Sequence, residues 1–168
     1  IMSIEEGIKI NDISEALLTC KTVERRFEVI SKNIFNKGIT LIDDYGHHPK
    51  EISVTLETID KIWKNNKKIV IFQPHRYTRT KALFEEFVEI ISKIDDLILL
   101  DVYPASEKIL KGYESIDLYK AANKRNNIIK AEGVEDALKK LKELVSDHSL
   151  ILTPVSYTHL RAHETNSN

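Results

Sequence analysis

Two short stretches concentrate the side chains able to do chemistry. The first, Asp43-Asp44-Tyr45-Gly46-His47-His48-Pro49, packs two carboxylates, two imidazoles and a phenol into consecutive positions. Aspartate oxygens suit ribose hydroxyls or a metal ion. A helix beginning at Pro49 would offer free backbone N–H groups and a partial positive charge to a phosphate or carboxylate. A nucleotide-linked ligand fits that chemistry. So does a structural role, in which Asp43 and Asp44 cap the helix and the histidines satisfy neighbouring backbone. Gly46 is expected to let the backbone turn sharply.

The second stretch, His75-Arg76-Tyr77-Thr78-Arg79-Thr80, sets two guanidinium groups three positions apart. They come to one side if Arg79 enters a helix. Arginine grips planar anions through two parallel hydrogen bonds, worth about 1.5 to 3 kcal/mol where partly desolvated, and lysine cannot copy that geometry. The pair reads as a carboxylate or phosphate clamp, or more plainly as a solvated charged helix start. A further pair, Arg25-Arg26, precedes the first strand, where an arginine could reach a nucleotide held between domains. A reading from another class takes Asp43, Asp44, His47 and His48 as the metal cluster of a phosphoesterase using metal-activated water.

These groups need elements to hold them. Ser3 caps a first short helix, and Asn11 or Asp12 caps a second whose Ile13, Ala16 and Leu17 share a face, ending near Cys20. Strands are expected at residues 26–32 and 39–42, separated by the turn Asn36-Lys37-Gly38. A helix follows over residues 49–64 with Ile52, Leu56, Ile59 and Trp63 as its apolar stripe. The apolar runs 68–72 and 96–100 lack polar alternation, which marks strands covered on both faces, and a helix over 80–93 lies between them. Helices at 116–123 and 134–145 alternate with strands at 127–130 and 150–152. Such alternation predicts an α/β fold, a Rossmann-like doubly wound, mostly parallel sheet. Ligands of such sheets sit beyond the carboxyl ends of the strands, where both polar stretches fall.

Composition narrows the field. A chain of 168 residues, 42% hydrophobic and 30% charged, builds one core and not two full domains. Its formal net charge of −1 excludes a global field for nucleic acid or an acidic membrane surface, so any anion site is local. Neither G-x-x-x-x-G-K-[ST] nor G-x-G-x-x-G occurs, so no glycine loop cradles a phosphate. Cys20 is the only cysteine and no apolar run approaches the roughly 20 residues that span a bilayer. A soluble, cytoplasmic protein is expected.

Arg25-Arg26-Phe27-Glu28, Asp43 to Pro49 and Phe72-Gln73-Pro74 with His75 to Thr80 together resemble the Mur ligases in order and spacing, and Leu100-Asp101-Val102-Tyr103-Pro104-Ala105 resembles the strand end that follows. The resemblance covers about residues 4–154 and points to the branch that joins L-alanine to UDP-N-acetylmuramate in peptidoglycan precursor synthesis for the bacterial cell wall. It implies that residues 1–24 end a central ATPase domain and that 25–154 form the Rossmann-like third domain, with the ligase's own N-terminal and central domains as partners. ATP would phosphorylate the substrate carboxylate, and the amine of L-alanine would attack the acyl phosphate to give the amide. By resemblance, Arg76 and Arg79, with Tyr45, His47 and His75, hold alanine's carboxylate, while Asp44 meets the ATP ribose and Arg26 the nucleotide. The phosphate-loop lysine and the Mg2+ ligands would lie in the central domain. No catalytic or metal-binding residue is therefore assigned here, and this chain alone is expected to be inactive. A sibling ligase that attaches a recycled tripeptide shares the His-His-Pro loop, but the full His75 to Thr80 motif favours alanine.

Residues 155–168 lack the glycines the resemblance would require and read as a disordered tail foreign to the gene. His159 and His163 stand four apart, but without other ligands they make no metal site.

Overall fold

Runs with no polar alternation make the centre of the sheet. The computed structural model describes residues 7–19, 25–122 and 127–154. The helix expected around Ser3, the thiol of Cys20 and the tail with His159 and His163 lie outside them.

The described elements are α1 (Ile10–Thr19), β1 (Glu28–Ile34), β2 (Ile39–Asp44), α2 (Pro49–Ile62), β3 (Lys68–Phe72), α3 (Tyr77–Ala82), α4 (Phe84–Ile91), β4 (Asp96–Leu100), α5 (Ser115–Ala122), β5 (Asn127–Ala131), α6 (Val134–Leu144) and β6 (Leu150–Pro154). The six strands form one sheet in the order β1-β2-β6-β3-β4-β5. Only β1 runs antiparallel to its neighbour, and every other pairing is parallel. The α/β, mostly parallel expectation holds.

Alternation along β3 shows how the core is divided. Val70 and Phe72 face one side, with Ile52 and Ile59 of α2 and Phe87 and Ile91 of α4. Ile69 and Ile71 face the other, with Ala137 and Leu141 of α6. Each of these side chains larger than alanine, buried to a few per cent exposure or less, contributes roughly 1.5 to 3 kcal/mol. Trp63 sits at the edge of the first layer, its ring 6.3 Å from that of Phe27.

Several boundaries move, for identifiable reasons. β1 begins at Glu28 and not at Arg26, because Arg25 (φ 62°) and Phe27 (φ 49°) occupy the left-handed region, which no strand admits. α1 begins at Ile10, so Asn11 and Asp12 stand inside the first turn and not at its cap. The single helix expected over 80–93 starts earlier, at Tyr77, and is broken at Leu83 (φ −121°, ψ 25°) into α3 and α4. That early start brings Arg79 into a helix.

Candidate functional site

β2 ends in Asp43 and Asp44, and both carboxylates are spoken for inside the protein. Asp43 Oδ2 accepts from Arg25 Nε at 3.0 Å, and its Oδ1 accepts from the Thr153 hydroxyl of β6 at 3.3 Å. Asp44 Oδ1 accepts the Gly46 N–H at 2.8 Å and Oδ2 accepts the Thr55 hydroxyl of α2 at 2.6 Å. The Asp44 contact to Gly46 is a side-chain-made turn, two residues long. It replaces the glycine turn expected here, since Gly46 does not use a positive φ.

Neither aspartate caps α2. The cap is His48, whose Nδ1 accepts the Lys50 N–H at 3.2 Å, and the box is closed by Glu51 at the third helical position. Glu51 Oε2 accepts the N–H groups of His47 (3.0 Å) and His48 (3.1 Å), and Oε1 faces Arg26 Nη1 at 3.4 Å. Partial burial pushes the Glu51 carboxyl up, but the His47 and His48 N–H bonds, with the nearby His47 and Arg26 charges, outweigh it and leave its pKa below the usual 4.5. Sequence reasoning passed over Glu51 because histidine is not among the usual cap residues. The glutamate three positions beyond His48 was the available signal.

Tyr45 is 38% exposed and lies under two cations, with the guanidinium carbons of Arg25 and Arg26 at 5.3 and 5.9 Å from its ring centre. The His47 ring stands edge-on to it at 5.5 Å. Tyr45, His47 and Arg26 therefore gather around Glu51, while Asp44 lies beneath them against α2, only 6% exposed.

The second stretch follows β3. His75 stacks on Tyr103 with ring centres 5.4 Å apart, and Arg76 N donates to Tyr103 O at 2.8 Å, which ties the stretch to the segment after β4. Arg79 Nη1 approaches His75 Nδ1 at 3.4 Å and His75 O at 3.5 Å. Guanidinium can only donate, so the geometry requires Nδ1 of His75 to be unprotonated. Burial first, then the charges of Arg79 and Arg76, hold the His75 pKa below its ordinary 6.5. Glu107 takes both the N–H (3.0 Å) and the hydroxyl (2.6 Å) of Thr78, bracing the start of α3.

The four arginines in and beside these stretches differ in one respect. Arg25 pairs with Asp43 and Arg26 with Glu51, whereas among the described residues neither Arg76 nor Arg79 has a carboxylate at ion-pairing distance. Arg76 is exposed and Arg79 half-buried. The two stretches share one edge of the sheet because β6 alone separates β2 from β3, a spacing of roughly 10 Å.

A metal cluster is not assembled. Among the described residues no group of three or more His, Cys, Asp or Glu side chains could hold an ion. His47 Nδ1 faces Tyr45 O at 3.1 Å and His48 Nδ1 serves the cap, so the phosphoesterase arrangement is set aside.

Residues 25–154 match the family described as Mur ligase, glutamate ligase domain. The chain is 38% identical over 159 residues to the UDP-N-acetylmuramate–L-alanine ligase of Wigglesworthia glossinidia brevipalpis, covering 90% of this chain and 34% of that protein. It is 42% identical over 152 residues to the ligase of the same name from Vesicomyosocius okutanii, covering 89% and 32%. It thus spans about a third of the length of the curated relatives it matches. The solved UDP-N-acetylmuramate-alanine ligase of Thermotoga maritima superposes with a TM-score of 0.66 at 23% identity, over 98% of this chain and 34% of that one, a likeness of fold.

Proposed function

The chain belongs to the Mur ligase family, and from that premise we propose that residues 25–154 are the amino-acid-holding domain of an ATP-dependent ligase that joins L-alanine to UDP-N-acetylmuramate. The observation that carries the reading is the pair Arg76 and Arg79, held at a strand-end edge with no carboxylate partner among the described residues. Two such guanidinium groups are suited to one small carboxylate. The relatives at 38 and 42% identity carry the alanine ligase name, which favours alanine over the recycled tripeptide.

In this reading Arg76 and Arg79 fix the α-carboxylate of alanine. His75, kept neutral, adds a ring nitrogen without a third charge, and Tyr45 and His47 close the facing side. None of these groups transfers a proton. They orient the amine, and orientation alone removes several kcal/mol of barrier, about 7 to 11 in favourable cases.

ATP would meet this domain at Arg26 and Asp44. Arg26 fits, because its guanidinium is half-exposed and its contact with Glu51 is long at 3.4 Å. Asp44 fits through the lone pairs that Gly46 and Thr55 leave unused, since a carboxylate has about four acceptor sites. When bound, ATP supplies the phosphoryl group that activates the substrate carboxylate toward the amine. We place Mg2+ and the triphosphate on a central domain that residues 1–24 would complete, as the family resemblance implies. No helix among the described residues is long and apolar enough to cross a membrane. In this reading a cytoplasmic enzyme, with access to ATP, is expected.

Phosphate release by the ligase carrying this domain tests the proposal. It should require UDP-N-acetylmuramate and rise with L-alanine. Stimulation by the tripeptide in place of alanine would transfer the domain to the sibling ligase, and no stimulation by either would overturn the reading.

A further inference from the structure

Four side chains close a ring at the mouth of the site. Arg26 lies over Tyr45, Tyr45 meets His47 edge-on, the His47 segment is fastened to Glu51, and Glu51 faces back to Arg26. Glu51 is the only acid in that ring, and its two oxygens point to different clients. Oε2 takes the His47 and His48 N–H groups, while Oε1 takes the Arg26 guanidinium.

We propose that Glu51 is a positioning residue that couples the two halves of the site, so that a nucleotide at Arg26 and an amino-acid carboxylate near His47 influence one another through this one carboxylate. The inference rests on the function proposed above for its ligands, but the coupling itself lies in the chain's own contacts.

The physical case is one of shared charge. An anion drawn to Arg26 competes with Oε1 for the guanidinium and frees Glu51 to shift toward the His47 segment, 3.8 Å from the ring nitrogen. Glu51 is the third residue of α2 and its Oε2 holds the His47 and His48 N–H groups, so a shift of its carboxylate pulls on the loop just ahead of the helix. A residue that only capped the helix would leave the two halves independent.

Glu51→Gln separates these roles. Glutamine at the third position still closes a capping box through its amide oxygen, but it brings no second anionic oxygen to Arg26. Melting temperature should therefore stay close to the parent's, with Glu51→Ala as the variant that loses the cap as well.

The test uses amide resonances of the whole 168-residue chain. Arg26→Ala should move the His47 and His48 signals clearly more in the parent than in the Glu51→Gln background, where only the path through Tyr45 is left. Equal movement in both backgrounds would overturn the coupling. In the ligase carrying this domain, Glu51→Gln should raise KM for both ATP and L-alanine about tenfold, the loss of one charge-assisted bond, and Arg26→Ala, although it removes its own contact with ATP, should add nothing further to KM for L-alanine. Effects on KM for L-alanine that simply multiply would also overturn it. A ligase that does not turn over at all would count against the proposed function, while the resonance experiment would still decide the coupling.

Discussion

The Thr55 hydroxyl donates to Asp44 Oδ2 at 2.6 Å, and the two residues are 7% and 6% exposed. One bond thus locks the last residue of β2 to the second turn of α2 and sets the height of the loop between them. Thr55→Val keeps the shape and removes the donor, leaving a buried carboxylate oxygen short of a partner. We expect a loss of about 1 to 3 kcal/mol in urea unfolding, with Thr55→Ser close to the parent. A loss no larger for valine than for serine would show that the bond does not hold the loop.

Gly46 and Gly38 should respond oppositely to alanine. A Cβ on Gly46 would meet Asp44 Oδ1 at 3.4 Å and Glu51 Cβ at 3.5 Å, ordinary contacts, and the residue needs no positive φ. Gly38 sits at φ 64°, and a Cβ there would come within 2.7 Å of the His148 ring. Gly46→Ala should fold with near-parental stability. Gly38→Ala should lose 1 kcal/mol or more, on the order of the left-handed penalty plus the clash. Calorimetry on the two variants compares them directly.

Arg76→Lys and Arg79→Lys each keep the charge and lose the two-pronged geometry. In the ligase carrying this domain, either should raise KM for L-alanine roughly tenfold or more while changing KM for ATP little. Arg76→Lys should leave thermal stability unaltered, because its guanidinium has no ion-pair partner among the described residues, and Arg79→Lys should lower it only slightly, through its long contacts with His75. An unchanged KM for alanine would remove the clamp from the site.

His75 makes stability depend on pH near neutrality. Burial, then Arg79 and Arg76, lower its folded pKa below 6.5, so the unfolded chain binds this proton first as pH falls. Stability is therefore highest above 6.5, declines as pH drops through that value, and levels off below the folded pKa. Glu51, Glu89 and Glu107 titrate beneath their ordinary 4.5 and stay outside this window. Urea midpoints at pH 7.5 and 5.5 should fall further apart for the parent than for His75→Gln.

The isolated chain should release no phosphate from ATP with L-alanine and UDP-N-acetylmuramate, since it holds no phosphate-cradling glycine loop. Turnover by the purified chain, persisting through a second chromatographic step, would contradict this.

Much of the architecture was legible in the residues themselves. Lys68–Phe72 and Asp96–Leu100 are apolar on both faces and bounded by breakers, so β3 and β4 fall where the pattern puts them. The polar stretches after β2 and β3 announced a ligand edge by residue type alone, and the order of motifs pointed to the family. Local patterns carry such information because burial and helix or strand period act within a few residues of one another.

Other features depended on partners far along the chain. β6, more than a hundred residues after β2, enters between β2 and β3 and so sets the spacing between the polar stretches that follow those two strands. Long-range contacts alone give Asp43 to Arg25 and Thr153, anchor Asp44 on Thr55 with part of its acceptor capacity left over, and turn Glu51 from a surface acid into the partner of Arg26. The sequence alone determined which groups were available and which strand ends would bear them. Only the tertiary structure decided which charges neutralise one another and which remain open, because pairing is a matter of distances that long-range strand order creates.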